Sequence, residues 1–327
     1  MSSGKILRQL IKAGTSGDSA AFRRVSEAVI ENERQKQHHL LANDLEQILY
    51  GEQLHQALNR AIPKAPVDKE RGLPLLDIKQ AKRYLEEIIL PETSLQSIQD
   101  MLEEHRRCDV LRSYGMKPSG KVLFFGPPGC GKTLAAEVIA FELDRPLAII
   151  RLDALVSSFL GETAANLRKV FDFISEHEMV ALFDEFDAIG KKRDDQGEHG
   201  EVRRVVNAVL QIMDSYQGRS LILAATNHQQ ILDIAIWRRF DDAIEFPLPT
   251  KKQITQLLAL KLRGVRRQFE IDDAVLLDML NGSSGSDIER IARRAIKRMI
   301  LRNQEFLTIK DLQCALEKEV LKIPSAT

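Results

Sequence analysis

Cysteine is scarce in this chain: Cys108, Cys130 and Cys314 are the three in 327 residues. Their scattered spacing suits neither a disulfide framework nor a tetrahedral zinc site. Nowhere do about 18 apolar residues run together, the length a membrane-crossing helix needs. The opening residues Met-Ser-Ser-Gly-Lys-Ile-Leu-Arg lack the apolar core of a secretory signal. A cytoplasmic protein without membrane contact is therefore expected. Charge of one sign is also missing, with 47 basic side chains against 47 acidic ones. That balance leaves the electrostatic footprint of a nucleic-acid binder weak. Neither His-Glu-x-x-His nor Gly-x-Ser-x-Gly occurs, so the chain carries no recognisable protease of its own. At 44% apolar residues it has enough to build two or three cores.

What is present is concentrated at residues 126 to 133. Gly126-Pro127-Pro128-Gly129-Cys130-Gly131-Lys132-Thr133 follows the apolar run Val122-Leu123-Phe124-Phe125 and precedes the helix-forming stretch Leu134 to Leu143. A loop without bulky side chains lets backbone N–H groups wrap phosphates, and the helix opening at its end adds a positive dipole. Lys132 is then placed for the β- and γ-phosphates of a nucleoside triphosphate and Thr133 for Mg²⁺. Cys130 reads as a small residue at a permissive position.

Along the chain, residues 1–50 read as helical, with amphipathic stretches marked by Leu7, Leu10 and Ile11, by Phe22, Val25 and Val29, and by Leu41, Leu45, Ile48 and Leu49. His38 and His39 are neighbours that would point about 100° apart on a helix, and they read as surface residues. Residues 51–76, with Gly51, Pro63, Pro66, Gly72 and Pro74, read as a linker. From residue 77 to 248, β-like runs alternate with helical ones: 121–125, 147–152, 179–184, 221–226 and 243–246. This alternation predicts an α/β fold with a parallel five-stranded sheet sandwiched by helices, ligands binding at the strands' carboxyl ends. Residues 249–327 read as purely helical.

The polar residues fall at those strand ends. Asp184 closes the third run and suits the Mg²⁺ water shell, Glu185 can polarise an attacking water, and Asn227 after the fourth run can orient it. Glu185 stands about fifty residues beyond the phosphate loop, within the same alternating unit.

With these motifs the chain resembles the AAA family of ATPases, within the wider AAA+ class, from about residue 77 to 320. The resemblance assigns the phosphate loop to Gly126–Thr133 and on to Leu134, the Walker B pair to Asp184 and Glu185, and the sensor asparagine to Asn227. It implies an ATP hydrolase dependent on Mg²⁺. Leu232-Asp-Ile-Ala-Ile-Trp-Arg-Arg-Phe-Asp241 is similar to the family's second homology region, except that its two arginines, normally two residues apart, are contiguous as Arg238 and Arg239. Both are candidates for the finger that reaches a neighbour's γ-phosphate, and Arg239 is favoured because it directly precedes Phe240-Asp241. Asp242 stands where the family often has a basic residue. A finger supplied in trans implies a homo-oligomer, usually a hexameric ring.

The C-terminal helices resemble the family's lid. There Gly285 and Ser286 would close over the adenine and ribose, and Ser286-x-x-Glu289 reads as a capping box starting the third lid helix. Phe159-Leu160-Gly161 matches the pore loop with which AAA translocases grip an extended polypeptide. The implied task is remodelling or unfolding of proteins through a central pore, with the N-terminal helices receiving a substrate or adaptor and a separate protease as a further partner. The alternative is a nucleic-acid-associated switch or motor, for which the basic runs 261–267 and 293–298 speak. No aromatic residues interleave those bases.

Overall fold

In the computed structural model the described residues are 63–68, 72–151, 160–186, 211–231 and 234–320, with Val25, Ser26, Ala28, Val29, Ile30 and Val209. The chain divides into two compact units, Met1–Pro63 and Lys64–Thr327. In the first, residues 25–26 and 28–30 are helical and Ile30 is buried. The rest of the expected N-terminal helices, with His38 and His39, lies outside the described residues.

The second unit is built on a six-stranded sheet: β1 (Leu76–Lys79), β2 (Lys121–Phe125), β3 (Leu147–Ile150), β4 (Val180–Phe183), β5 (Leu221–Thr226) and β6 (Asp242–Glu245). Their spatial order is β1-β3-β4-β5-β2-β6. β2 runs parallel to both β5 and β6, and β3 and β5 run parallel to β4. The inner strands β2 to β5 are almost continuous apolar runs because both faces are covered, whereas the edge strands β1 and β6 are half charged. On β2, Leu123 faces one core with Phe171, Phe183 and Ile222, while Val122 and Phe124 face the other with Ile139, Leu182 and Leu223. Helices α1 (Glu92–Arg106) and α3 (Lys132–Glu142) close the second face. Helix α4 (Leu160–Glu176) closes the first through Leu167, Val170, Phe171 and Ile174. The short α2 (Cys108–Ser113) leads from α1 towards β2.

Two expectations need correction here. The sheet has a sixth strand, and it is antiparallel: β1 pairs with β3 at the edge, Leu76 opposite Ile150 and Lys79 opposite Leu147. The stretch read as the end of a linker is part of this unit. Val67 bridges Pro74, Leu75 and Leu76 are buried, and the Asn166 side-chain amide on α4 donates to Asp68 Oδ1 at 3.1 Å. Asp68 is only 4% exposed. The prolines and glycine shape a short hairpin there rather than a free connector.

After the one-turn α5 (Ile234–Trp237) and β6, the chain forms four helices. These are α6 (Lys251–Lys261), α7 (Ala274–Leu280), α8 (Gly285–Leu301) and α9 (Ile309–Val320), packed on Leu258, Leu276, Leu280, Ile288, Ile291 and Leu312. Thr250 and Gln253 cap α6 reciprocally, and Asp273 caps α7. The box expected at Ser286 and Glu289 lies two residues earlier. Ser284 Oγ accepts from the Asp287 N–H at 3.2 Å, and Asp287 Oδ2 accepts from the Ser284 N–H at 3.0 Å. Glu289 points instead towards α6, where Lys261 Nζ lies 2.6 Å away.

Candidate active site

The phosphate loop hangs between the end of β2 and the start of α3, at the carboxyl edge of the sheet. Its glycines are required by geometry at two places. Gly126 has φ +139°, and a Cβ there would sit 2.2 Å from the Phe246 carbonyl oxygen. Gly129 has φ +75°, and a Cβ there would meet Ser284 Oγ at 2.6 Å. Both values lie outside the region that side-chain-bearing residues adopt comfortably. At Gly129 the crowding comes from α8, whose Ser286 N–H donates to the Gly129 carbonyl at 3.0 Å.

Lys132 is buried, and its ammonium donates to the Gly126 and Pro127 carbonyls, each at 2.8 Å. Thr133 Oγ1 donates to Asp184 Oδ2 at 2.9 Å, joining the start of α3 to the end of β4. The other Asp184 oxygen accepts the Glu185 N–H at 3.0 Å. Glu185 itself is exposed and sits at φ +52°, an uncommon conformation for a residue with a side chain. Such outliers concentrate at functional sites, where the surroundings hold them in place. Cys130 is buried, and that burial pushes its thiol pKa up, so it stays a neutral thiol.

A cleft of ≈ 600 Å³ brings the parts together. Pro128 to Leu134, Asp184, Glu185, Asn227, Gly285 and Ser286 all line it. The volume suits a ligand of nucleotide size. Gly126 and Pro127 stand behind the lining and steady Lys132. Arg238 and Arg239 do not line it; Arg239 Nε lies 3.1 Å from Asp214 Oδ2. Of the expected pore residues, Phe159 lies outside the described residues, and Leu160 and Gly161 are the first residues of helix α4 rather than loop.

Other walls of the cleft escaped the sequence. Arg83, Glu87, Ile88, Ile89 and Pro91 approach from the segment before α1, and Gln253, Leu257 and Lys261 from α6. A signal existed for the α6 group: these three residues step by four, so polar Gln253 and Lys261 share a stripe with apolar Leu257. For the segment before α1 the sequence offered none. Charge is organised at this rim. The hydrogen bond from Lys261, opposed by partial burial and helped by the nearby Lys261 and Arg293 charges, holds the Glu289 carboxyl below its usual range. Glu87 accepts from Arg83 at 2.7 Å and raises the guanidinium's pKa. Among the described residues no cluster of three or more His, Cys, Asp or Glu could by itself hold a metal. No helix there is long and apolar enough to cross a membrane.

Known proteins place these features in context. Residues 122–248 match the ATPase family associated with various cellular activities, AAA. The chain is 38% identical over 320 residues to an uncharacterized AAA family ATPase of Sinorhizobium fredii, covering 98% of this chain and 96% of that protein. It is 35% identical over 236 residues to the proteasome-activating nucleotidase of Thermococcus onnurineus, 69% of this chain and 59% of that one. With a 26S proteasome regulatory subunit 10B homolog of Arabidopsis thaliana it shares 32% over 222 residues, 65% of this chain and 56% of that one. The chain thus spans less than two thirds of the length of these last two relatives. Taken with a phosphate loop hydrogen-bonded to an acidic strand end, the likeness settles the matter: this chain belongs to the AAA family and is an ATP hydrolase.

Proposed function

We propose that the chain is one subunit of a homo-oligomeric ring, hexameric in its working form, that spends ATP on remodelling or unfolding proteins drawn through its centre. One observation carries this reading. Lys132, Thr133, Asp184, Glu185 and Asn227 converge on one cleft while Arg238 and Arg239 lie off it, and the guanidinium groups that do line it, Arg83 and Arg293, are held by Glu87 and Glu289; this supports a finger supplied by a neighbouring copy. A finger of that kind is worth on the order of 10³ to 10⁵ in rate.

In the pocket, the backbone N–H groups of the loop bind the phosphates, and Lys132 turns from the Gly126 and Pro127 carbonyls to the β- and γ-phosphate oxygens. Thr133 Oγ1 and the Asp184 carboxylate, already 2.9 Å apart, fit a hydrated Mg²⁺. That ion, when bound, neutralises charge on the β- and γ-phosphates. Glu185 accepts a proton from the attacking water and Asn227 orients that water. Gly285 and Ser286, held against Gly129, cover the base and ribose as part of a lid formed by residues 249–327.

The protein-directed half of the proposal is supported by the printed names of the proteasomal relatives. It also rests on the likeness of Phe159-Leu160-Gly161 to the pore-loop pattern of AAA translocases. We assign residues 1–50 to substrate or adaptor capture, with a separate protease as a further partner, in the cytoplasm. The nucleic-acid reading is weakened, because five of the eight bases in the two runs pair with acids: Lys261 and Arg293 with Glu289, Arg294 with Glu319, Arg298 with Asp311 and Arg266 with Glu305. The test is to hold Glu185→Gln with ATP and identify by mass spectrometry what stays attached. Captured polypeptide supports the motor; captured nucleic acid overturns it.

A further inference from the structure

We infer that the groove between α8 and α9 is a docking site for a short acidic peptide segment carrying an apolar anchor. The depression, ≈ 300 Å³, is lined by five cations, Arg294, Lys297, Arg298, Arg302 and Lys318, and by no carboxylate among the described residues. Two of them are committed. Arg294 lies 2.9 Å from Glu319, and Arg298 lies 3.4 Å from the buried Asp311. Lys297, Arg302 and Lys318 are exposed and have no ion-pair partner among the described residues. Elsewhere on this helical bundle Arg290, Arg293, Lys261 and Arg266 are paired with acids, while Arg263 and Arg267 are single exposed bases that line neither this groove nor the nucleotide cleft. What sets the groove apart is that three exposed cations without ion pairs line one depression that has no acidic lining residue among the described residues.

Beneath the charge the floor is apolar: Ala315 is buried and Leu301 is 78% exposed at the groove's end. An exposed leucine ringed by cations calls for a partner that is apolar at its centre and acidic at its flanks. From Arg294 to Arg302 the stripe on α8 runs about 12 Å, which fits roughly four residues of extended peptide. A nucleic-acid strand is disfavoured, since the lining offers no aromatic platform on which bases could stack and the track is short.

The test uses the full-length protein and a fluorescein-labelled peptide of sequence EEDLLDEE, followed by fluorescence anisotropy. The double reversal Lys297→Glu/Lys318→Glu should weaken binding about tenfold or more, since two exposed attractions are lost and replaced by repulsion. Leu301→Ser and the peptide EEDSSDEE should each weaken it severalfold. A control with the same change in net charge, Lys117→Glu/Arg263→Glu, should leave binding intact. Cys314 lines the groove, so bound peptide should slow its alkylation. Equal loss in the control pair, or no loss in the groove variants, overturns the proposal. So does a twenty-nucleotide oligo-dT that displaces the peptide and binds more tightly. If the groove reversal instead dissolves a self-association seen by sedimentation while sparing peptide binding, the groove is a contact between copies and the proposal is wrong.

Discussion

The backbone N–H of Ser286 donates to the carbonyl oxygen of Gly129 at 3.0 Å, so the first turn of α8 rests directly on the phosphate loop. Helical bundle and nucleotide loop are therefore sterically interdependent. Gly129→Ala would force a Cβ to 2.6 Å from Ser284 Oγ at φ +75°. The expected result is a destabilisation of about 1–3 kcal/mol in urea melts and at least a tenfold loss of nucleotide affinity. Because the obstruction is one hydroxyl, Ser284→Ala should recover part of the loss in the double variant, although alone it costs a helix cap worth about 1 kcal/mol. Strict additivity in that cycle would show that the two residues do not collide.

Lys132→Ala should abolish binding of a fluorescent ATP analogue, because the ammonium now fixed by Gly126 and Pro127 is the charge the phosphates require. Glu185→Gln should keep the analogue bound and lose turnover by a factor of about 10² or more. Substantial hydrolysis by that variant would remove Glu185 from the chemistry.

The backbone at Glu185 permits a separate measurement. With φ +52° and an exposed side chain, the residue contributes strain and little packing. Glu185→Gly should leave folding intact or improve it by up to about 1 kcal/mol while eliminating turnover. Calorimetry that records a lower midpoint would assign the side chain a structural part.

The fingers are distinguished by single replacement. Arg239→Ala should depress ATPase activity about 10³-fold or more without changing nucleotide affinity, and Arg238→Ala should do less. Activity per subunit should also fall on dilution. The opposite ranking would transfer the role to Arg238. A full rate in isolated subunits would refute the trans arrangement altogether. Phe159→Ala should spare hydrolysis and impair unfolding of a tagged substrate, whereas equal loss of both would make Phe159 a packing residue.

His105 supplies a pH dependence. It is buried between α1 and the start of β2, its Nε2 is 2.8 Å from the Ser119 carbonyl, and Arg145 Nη1 stands 3.4 Å from Nδ1. Burial is the largest effect and lowers its pKa; the Ser119 contact opposes it, and the weaker Arg145 charge adds to the lowering. The unfolded chain therefore binds the proton more readily. The stability this neutral imidazole contributes is complete above the ordinary histidine pKa of about 6.5 and is lost as pH falls through the lower folded value. Urea midpoints should drop between pH 7.5 and 5.5. His105→Gln should flatten that part of the profile, and an unchanged slope would place the effect elsewhere.

How much of this was legible in the sequence depended on how local each feature is. β2 and β5 were read at their observed bounds, since a strand buried on both faces spells its own length in apolar residues. The phosphate loop was legible because one contiguous octapeptide makes the whole cradle. β1 was not: Leu76-Asp-Ile-Lys79 is four residues long, half charged and preceded by Pro74, and only its pairing with β3 makes it a strand. The start of α8 was misread because two Ser-x-x-acid patterns overlap there. Contact with Gly129 and Lys261, invisible along the chain, decides between them. The cleft walls at Arg83 and Ile88 are likewise products of packing.

The Asp68–Asn166 hydrogen bond has a mechanical meaning. Lys169 Nζ adds a second tie 3.4 Å from the Val67 carbonyl. Tension arriving from the N-terminal side reaches Val67 and Asp68 before it reaches the edge of the sheet. The first element to feel a tug on the residues just before Val67 is thus α4, through Asn166 and Lys169, so the load enters the helical layer before it strains the edge strand β1.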